Sequence, residues 1–215
     1  MTKKFIVVAG NIGAGKTTLT QRLGEKLAWQ TGYESVQDNP YLSRFYHDMK
    51  TWSFHLQIFF LGHRADQHQL LAEGEKSAII DRSIYEDAHI FARVLHHMGN
   101  LCETDYQAYL SVYDKVVQGL PRPDLLLYLQ APVPTLIERI RNRGREMEAG
   151  ISTDYLRTLD SFYIDWIDHF DLCPVLTIPS NNLNFLNRED HLDLVVEHIE
   201  AKLAGHGPSL SLNLQ

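Results

Sequence analysis

The chain reads as an α/β protein built on a five-stranded parallel sheet flanked by helices, and three observations carry that reading. Short apolar, β-rich runs alternate with longer helical stretches, a glycine-rich loop joins the first run to the first helix, and acidic residues fall where later runs end. Strands separated by helices imply crossover connections, which build mostly parallel, doubly wound sheets.

The first strand is predicted over 5–9, where Phe5, Ile6, Val7, Val8 and Ala9 form a short apolar run. A helix over 18–29 follows, with Leu19, Leu23 and Leu27 on one face. Further strands are predicted over 33–36, 77–81, 124–129 and 175–178, and helices over 53–72, 85–97, 104–118, 133–143, 152–170 and 188–203. Residues 1–204 are expected to form one domain, and 205–215, small and polar with alternating leucines, a loose tail.

Composition narrows the class. A chain of 215 residues, 44% hydrophobic and 22% charged, has enough apolar side chains for a sizeable core. Its formal net charge of -7 opposes binding to a nucleic acid polymer, which draws affinity from clustered Lys and Arg. Cys102 and Cys173 stand far apart without metal-ligand spacing, so neither a disulfide framework nor zinc is expected. Met1 to Lys4 lead straight into the first strand and no apolar run reaches membrane-spanning length, so a cytoplasmic protein without membrane contact is expected. The eleven histidines are scattered and receive no metal or catalytic role.

Chemistry begins with Gly10-Asn11-Ile12-Gly13-Ala14-Gly15-Lys16-Thr17, a complete G-x-x-x-x-G-K-T phosphate-binding loop between strand and helix. Its glycines let backbone N–H groups curl around a phosphate at the helix N-terminus, where Thr18 continues the first turn. Lys16 adds a mobile positive charge, and the Thr17 hydroxyl can ligate Mg2+. Two acidic signals lie at the ends of the second and third strands, where open α/β sheets bind ligands: Glu34, and Asp81 followed by Arg82. Transfer of a phosphoryl group to a hydroxyl needs a proton acceptor, a metal anchor and a cation, and these three residues supply one of each. Four alternating arginines, Arg139, Arg141, Arg143 and Arg145, occur where the helix should break at Gly144, the pattern of an arginine-rich lid that closes on phosphates.

Together these residues resemble the deoxynucleoside kinase family over nearly the whole chain. Phe45-Tyr46, Trp52-Ser53-Phe54-His55-Leu56-Gln57 and Arg64 are similar to the family's sugar- and base-binding segment, and Asp81-Arg82-Ser83-Ile84-Tyr85-Glu86-Asp87 to its acidic-Arg-Ser motif. The resemblance implies a P-loop kinase fold, ATP and Mg2+ as cofactors, a deoxynucleoside acceptor and a homodimer packed through helices. It implies Glu34 as general base on the 5'-hydroxyl, Arg82 on that hydroxyl and the phosphate, and Tyr46 with Glu148 on the 3'-hydroxyl. It further implies Gln57 on the base edge, Phe91 stacked on the base, Asp81 positioning magnesium, and Arg139, Arg143 and Arg145 as lid cations.

Spacing is compatible with that assignment. Gln57 and Arg64 are seven residues apart, about 10 Å along a helix and on one side of it, beside an apolar stripe of Phe54, Ile58, Leu61 and Ala65. Asp87 and Phe91 lie one helical turn apart, so one helix presents a polar group and a ring to a base. Asp87 can accept from an exocyclic amine that thymine lacks, which disfavours thymidine, and the resemblance implies deoxyadenosine and deoxyguanosine as substrates, with deoxycytidine a further candidate. Ser35, Asn39 and Leu56 depart from the animal enzymes' pattern, which implies altered cleft walls, and Asp38-Asn39-Pro40-Tyr41-Leu42 is similar to the bacterial deoxyadenosine/deoxyguanosine kinase branch.

Two other classes share part of this pattern. A thymidylate-kinase-like monophosphate kinase would need extra arginines such as Arg44 and Arg93 on the acceptor's phosphate, which Glu34 would repel. A non-catalytic nucleotide-binding subunit would normally lack one of Lys16, Thr17, Glu34, Asp81 and Arg82, all of which are present.

Overall fold

The computed structural model describes residues 2–33, 39–148 and 150–205. Among them five parallel strands run in the order β2-β3-β1-β4-β5. The strands are β1 (Phe5–Gly10), β2 (Gln30–Gly32), β3 (Ala78–Asp81), β4 (Leu125–Gln130) and β5 (Val175–Pro179). Every residue of β1 is buried. Successive side chains of a strand face opposite ways, so Phe5, Val7 and Ala9 enter one core while Ile6 and Val8 enter the other.

The helices are α1 (Lys16–Leu27), α2 (Leu42–His47), α3 (Met49–Glu73), α4 (Ile84–Glu86), α5 (Arg93–His97), α6 (Glu103–Gln118), α7 (Val133–Arg143), α8 (Thr153–His169) and α9 (Glu189–Leu203). Leu19 and Leu23 of α1, Leu136 of α7 and Leu192, Val195 and Ile199 of α9 share the Ile6 side of the sheet. Leu56 and Phe60 of α3, Tyr109 of α6 and Tyr163 of α8 share the other.

Several expectations need correction. The first helix begins at Lys16, two residues early, and stops at Ala28, whose left-handed φ of 55° ends it. The second strand is Gln30–Gly32 rather than 33–36, of which 34–36 lie outside the described residues. A Cβ on Gly32 would approach Leu71, Gln67 and Ile80 within 3 Å, so close packing against α3 and β3 selects a glycine that strand propensity alone passes over. Helix α2 was not anticipated. Asn39, read as part of an altered cleft wall, accepts hydrogen bonds on Oδ1 from the backbone N–H of Tyr41 (2.9 Å) and Leu42 (3.1 Å), which orders the turn leading into this helix. The expected helix over 85–97 divides into α4, a π-helical segment Asp87–Ala92 and α5. On α3 the buried face runs through Ser53, Leu56, Gln57, Phe60, Leu61, Arg64 and His68, whereas Phe54, Ile58 and Ala65 are only half-buried. The tail from residue 206 onward lies outside the described residues. No described helix is long and apolar enough to cross a membrane.

His68 ties α3 to the loop before β4. Its Nε2 lies 2.7 Å from the Pro121 carbonyl, which only accepts, so Nε2 carries the proton. Burial holds the imidazole below its ordinary pKa of 6.5, against the opposing carbonyl bond. The unfolded chain therefore binds the proton first, and stability is lost as pH falls below about 6.5, by at most about 1.4 kcal/mol per pH unit for one proton. Urea unfolding at pH 7.5 and 5.5 is expected to show a shallower pH dependence for His68→Gln than for the natural chain; equal slopes would assign the pH dependence to other groups.

Candidate active site

Between β1 and α1 the chain turns tightly against its neighbours. Gly13, at φ 84°, has no room for a side chain, because a Cβ would lie 2.9 Å from the Leu136 carbonyl oxygen of α7. The Lys16 ammonium, itself buried, donates to the carbonyls of Gly10 (2.8 Å) and Asn11 (3.0 Å). Thr17 Oγ1 donates to Asp81 Oδ2 at 2.5 Å, which brings the end of β3 onto the loop. These two hard oxygen donors suit magnesium, which keeps several waters and takes few protein ligands. No group of three or more His, Cys, Asp or Glu able to hold a metal occurs among the described residues.

The loop opens onto a cleft of about 1060 Å³. Residues Ile12, Gly13, Ala14, Gly15, Lys16, Thr17 and Thr18 line one end, with Asp81 and Arg82 beside them. Tyr46, Gln57, Arg64, Asp87 and Phe91 line it too, as do Arg139, Arg143, Arg145 and Glu148. Gly10 and Asn11 do not line the cleft. The Asn11 side chain instead accepts from Ile12 N (2.8 Å) and donates to the Leu156 carbonyl (3.0 Å), fastening the loop to α8. Glu34 lies outside the described residues; Tyr33, its neighbour in sequence, lines the cleft.

Arg64 Nε meets Asp87 Oδ2 at 2.6 Å, with side-chain exposures of 5% and 1%. The Arg64 guanidinium also lies over the Phe60 ring, 4.6 Å from its centroid. Gln57 Oε1, buried nearby on α3, accepts no hydrogen bond among the described residues. Asp87 and Phe91 fall in the π-helical segment, so the regular one-turn spacing inferred for them does not hold. The wider turn sets the Phe91 ring 4.4 Å from the Arg82 guanidinium.

The arginines of the expected lid do different things. Arg139 sits within α7 and donates to the carbonyl oxygens of Ala14 (3.1 Å) and Ser180 (2.7 Å) and to Ser180 Oγ (3.2 Å), locking α7 to the phosphate loop and to the end of β5. Burial holds its guanidinium below the ordinary arginine pKa. Past Gly144, Arg145 Nη1 reaches Glu148 Oε1 at 3.3 Å while Arg143 Nη2 meets Oε2 at 2.5 Å, so both cations bracket one carboxylate. Arg141 does not line the cleft.

A sequence model of the deoxynucleoside kinase family matches residues 6–204. The chain belongs to that family. The kinase is 40% identical over 197 residues to the deoxyadenosine/deoxycytidine kinase of Bacillus subtilis (strain 168), covering 91% of each chain. It is 34% identical over 203 residues to the deoxyguanosine kinase of the same organism, covering 93% of this chain and 97% of that one. In three dimensions it is similar to the deoxyadenosine kinase from M. mycoides solved with the products dCMP and a flexible dCDP, with a TM-score of 0.82 at 30% identity over 92% of this chain and 99% of that one.

Two features of the kinase's site escaped the sequence reading. Asn181, Asn182, Leu183, Asn184, Phe185 and Leu186 line the cleft after β5, where the carboxyl-end rule applied to β2 and β3 would have located them. The second is Glu86, the fourth residue of a Ser83-x-x-Glu86 capping box, a pattern visible in sequence.

The Arg64 and Asp87 pair also bears on folding, because removing one partner strands a buried charge. Asp87→Leu alone is expected to cost the kinase about 3–5 kcal/mol in urea unfolding, and Arg64→Met with Asp87→Leu markedly less. A double variant as unstable as the single one would show that the two charges do not compensate each other.

Proposed function

We propose that this kinase transfers the γ-phosphoryl group of ATP to the 5'-hydroxyl of deoxyadenosine, deoxyguanosine and deoxycytidine in nucleotide salvage, yielding ADP and the deoxynucleoside 5'-monophosphate. The observation that carries the base preference is the buried Arg64 and Asp87 pair in the same cleft as the phosphate loop. Asp87 accepts from an exocyclic amine while Arg64 orients it and donates to a ring nitrogen or carbonyl, and Gln57 supplies a further polar group. Thymine offers a carbonyl where an amine is wanted and adds a methyl group. The relatives named for deoxyadenosine, deoxycytidine and deoxyguanosine support the same set.

In this reading Glu34 accepts the 5'-hydroxyl proton, Arg82 steadies that hydroxyl and the transferring phosphoryl group, and Tyr46 and Glu148 hold the 3'-hydroxyl. The phosphate-loop amides and Lys16 bind the triphosphate, and Arg139, Arg143 and Arg145 draw charge from it in a site closed to water. Thr17 and Asp81 would hold magnesium, which supplies charge neutralisation on the phosphate oxygens. Two observations weigh against a monophosphate acceptor. Arg93 pairs with Asp165 (2.9 Å) and Arg44 lies over Trp52, and neither lines the cleft. The reading also includes a cytoplasmic homodimer packed through helices, for which light scattering is expected to give a two-chain mass; a one-chain mass at working concentration would remove the dimer.

A transfer assay with magnesium ATP is expected to show turnover of deoxyadenosine, deoxyguanosine and deoxycytidine well above thymidine, and none of thymidine monophosphate. Thymidine faster than all three would overturn the base assignment, and turnover of the monophosphate alone would overturn the acceptor class. Glu34→Gln is expected to lower kcat about 100-fold or more with nucleoside affinity nearly unchanged. Retention of most activity would remove Glu34 from the base's role.

A further inference from the structure

Behind the phosphate loop lies a carboxylate that none of the assigned roles uses. Glu86 is fully buried, and its two oxygens are divided between two tasks. Oε2 accepts from the backbone N–H (2.7 Å) and hydroxyl (3.1 Å) of Ser83, closing the capping box immediately after Arg82. Oε1 accepts from the Gly10 N–H (3.1 Å) and from the Tyr163 hydroxyl (2.6 Å), and lies 3.6 Å from Arg82 Nη1. Tyr163, fully buried on α8, in turn takes a hydrogen bond from Arg82 Nη1 (3.3 Å) and stands 3.0 Å from the Gly10 carbonyl, the same oxygen that Lys16 holds.

We infer that Glu86 and Tyr163 are a positioning pair for phosphoryl transfer, holding the Arg82 guanidinium, the Gly10 peptide and α8 in one fixed arrangement. This rests on the kinase reading above. Neither residue lines the cleft, so both act through Arg82, which does, and through the Gly10 peptide from which the phosphate loop starts. Arg82 has a left-handed φ of 75°, an uncommon conformation for a side-chain-bearing residue, and the capping box fixes the chain directly after it. Its guanidinium must then be aimed, and Glu86 holds it by charge and Tyr163 by hydrogen bond, while the Phe91 ring lies 4.4 Å from it. The same carboxylate oxygen fixes the Gly10 amide, so the start of the phosphate loop and the arginine share one anchor. Burial and the neighbouring Glu86 charge raise the Tyr163 hydroxyl's pKa well above its ordinary value, so it remains a neutral donor.

The test uses Tyr163→Phe, which removes one oxygen, and Glu86→Gln, which removes the charge, singly and together in the full chain. With deoxyadenosine and magnesium ATP, Tyr163→Phe is expected to lower kcat about 10-fold and Glu86→Gln about 100-fold, with KM for the nucleoside changed less than about 2-fold. The double variant is expected to be no worse than Glu86→Gln, because the two residues act as a unit. Calorimetric titration with ATP alone is expected to show weaker binding in both single variants, because Glu86→Gln weakens the acceptor on the Gly10 N–H and Tyr163→Phe removes the hydroxyl that fixes that acceptor and stands against the Gly10 carbonyl. A natural chain inactive on every nucleoside would sink the kinase reading, while the ATP titration would still test the pair. Natural kcat and ATP affinity in Tyr163→Phe, multiplicative losses in the double variant, or a loss confined to nucleoside KM would each overturn the inference. If Glu86→Gln does not fold, Tyr163→Phe decides alone.

Discussion

Burial of β1 on both faces is the constraint from which the rest of the site follows. It lies between β3 and β4, with Val8 opposite Asp81 on one side and Leu127 on the other. Its side chains serve two cores, and burying each Val or Ile contributes about 1.5–3 kcal/mol. A strand so held delivers its last peptide to a fixed point. The phosphate loop, the Asp81 carboxylate and the Arg82 turn are then placed relative to one another by sheet register, before any side chain of the cleft is considered.

Around that point cations of the loop, of the turn after β3 and of α7 line the cleft, and the Thr17 and Asp81 contact supplies hard oxygen. The Arg64 and Asp87 pair is nearly neutral in sum and almost dry, so its worth lies in orientation more than in stability. It is carried on α3 and on the π-helical segment rather than on the phosphate loop, and the Ser83 and Glu86 capping box lies in sequence between Arg82 and Asp87.

Much of this was legible in the sequence because it depends on local pattern. The phosphate loop is a contiguous motif, Asp81-Arg82 ends an unmistakably apolar run, and the seven-residue interval from Gln57 to Arg64 fixes their shared face on any helix. What escaped depends on contacts distant in sequence. Gly32 belongs to β2 because Leu71 and Ile80 crowd it, and Asn39 looked like a cleft residue until its bonds to Tyr41 and Leu42 were seen. The π-helical widening at Asp87–Ala92 leaves no mark in a periodicity of 3.6. Glu86 was quoted within a motif, yet its partners Gly10 and Tyr163 are 76 and 77 residues away.

The left-handed backbone at Arg82 has a bearing on how this protein can diverge. Glycine is the usual remedy for such a position and would relieve about 1–2 kcal/mol of strain. Here it would also remove the guanidinium beside the buried Glu86, and breaking a buried ion pair costs about 3–5 kcal/mol. The second figure exceeds the first, so selection for stability alone opposes the replacement. An arginine retained at this position through evolutionary drift would therefore record the demands of folding as well as those of chemistry, and its persistence could not be credited to catalysis alone.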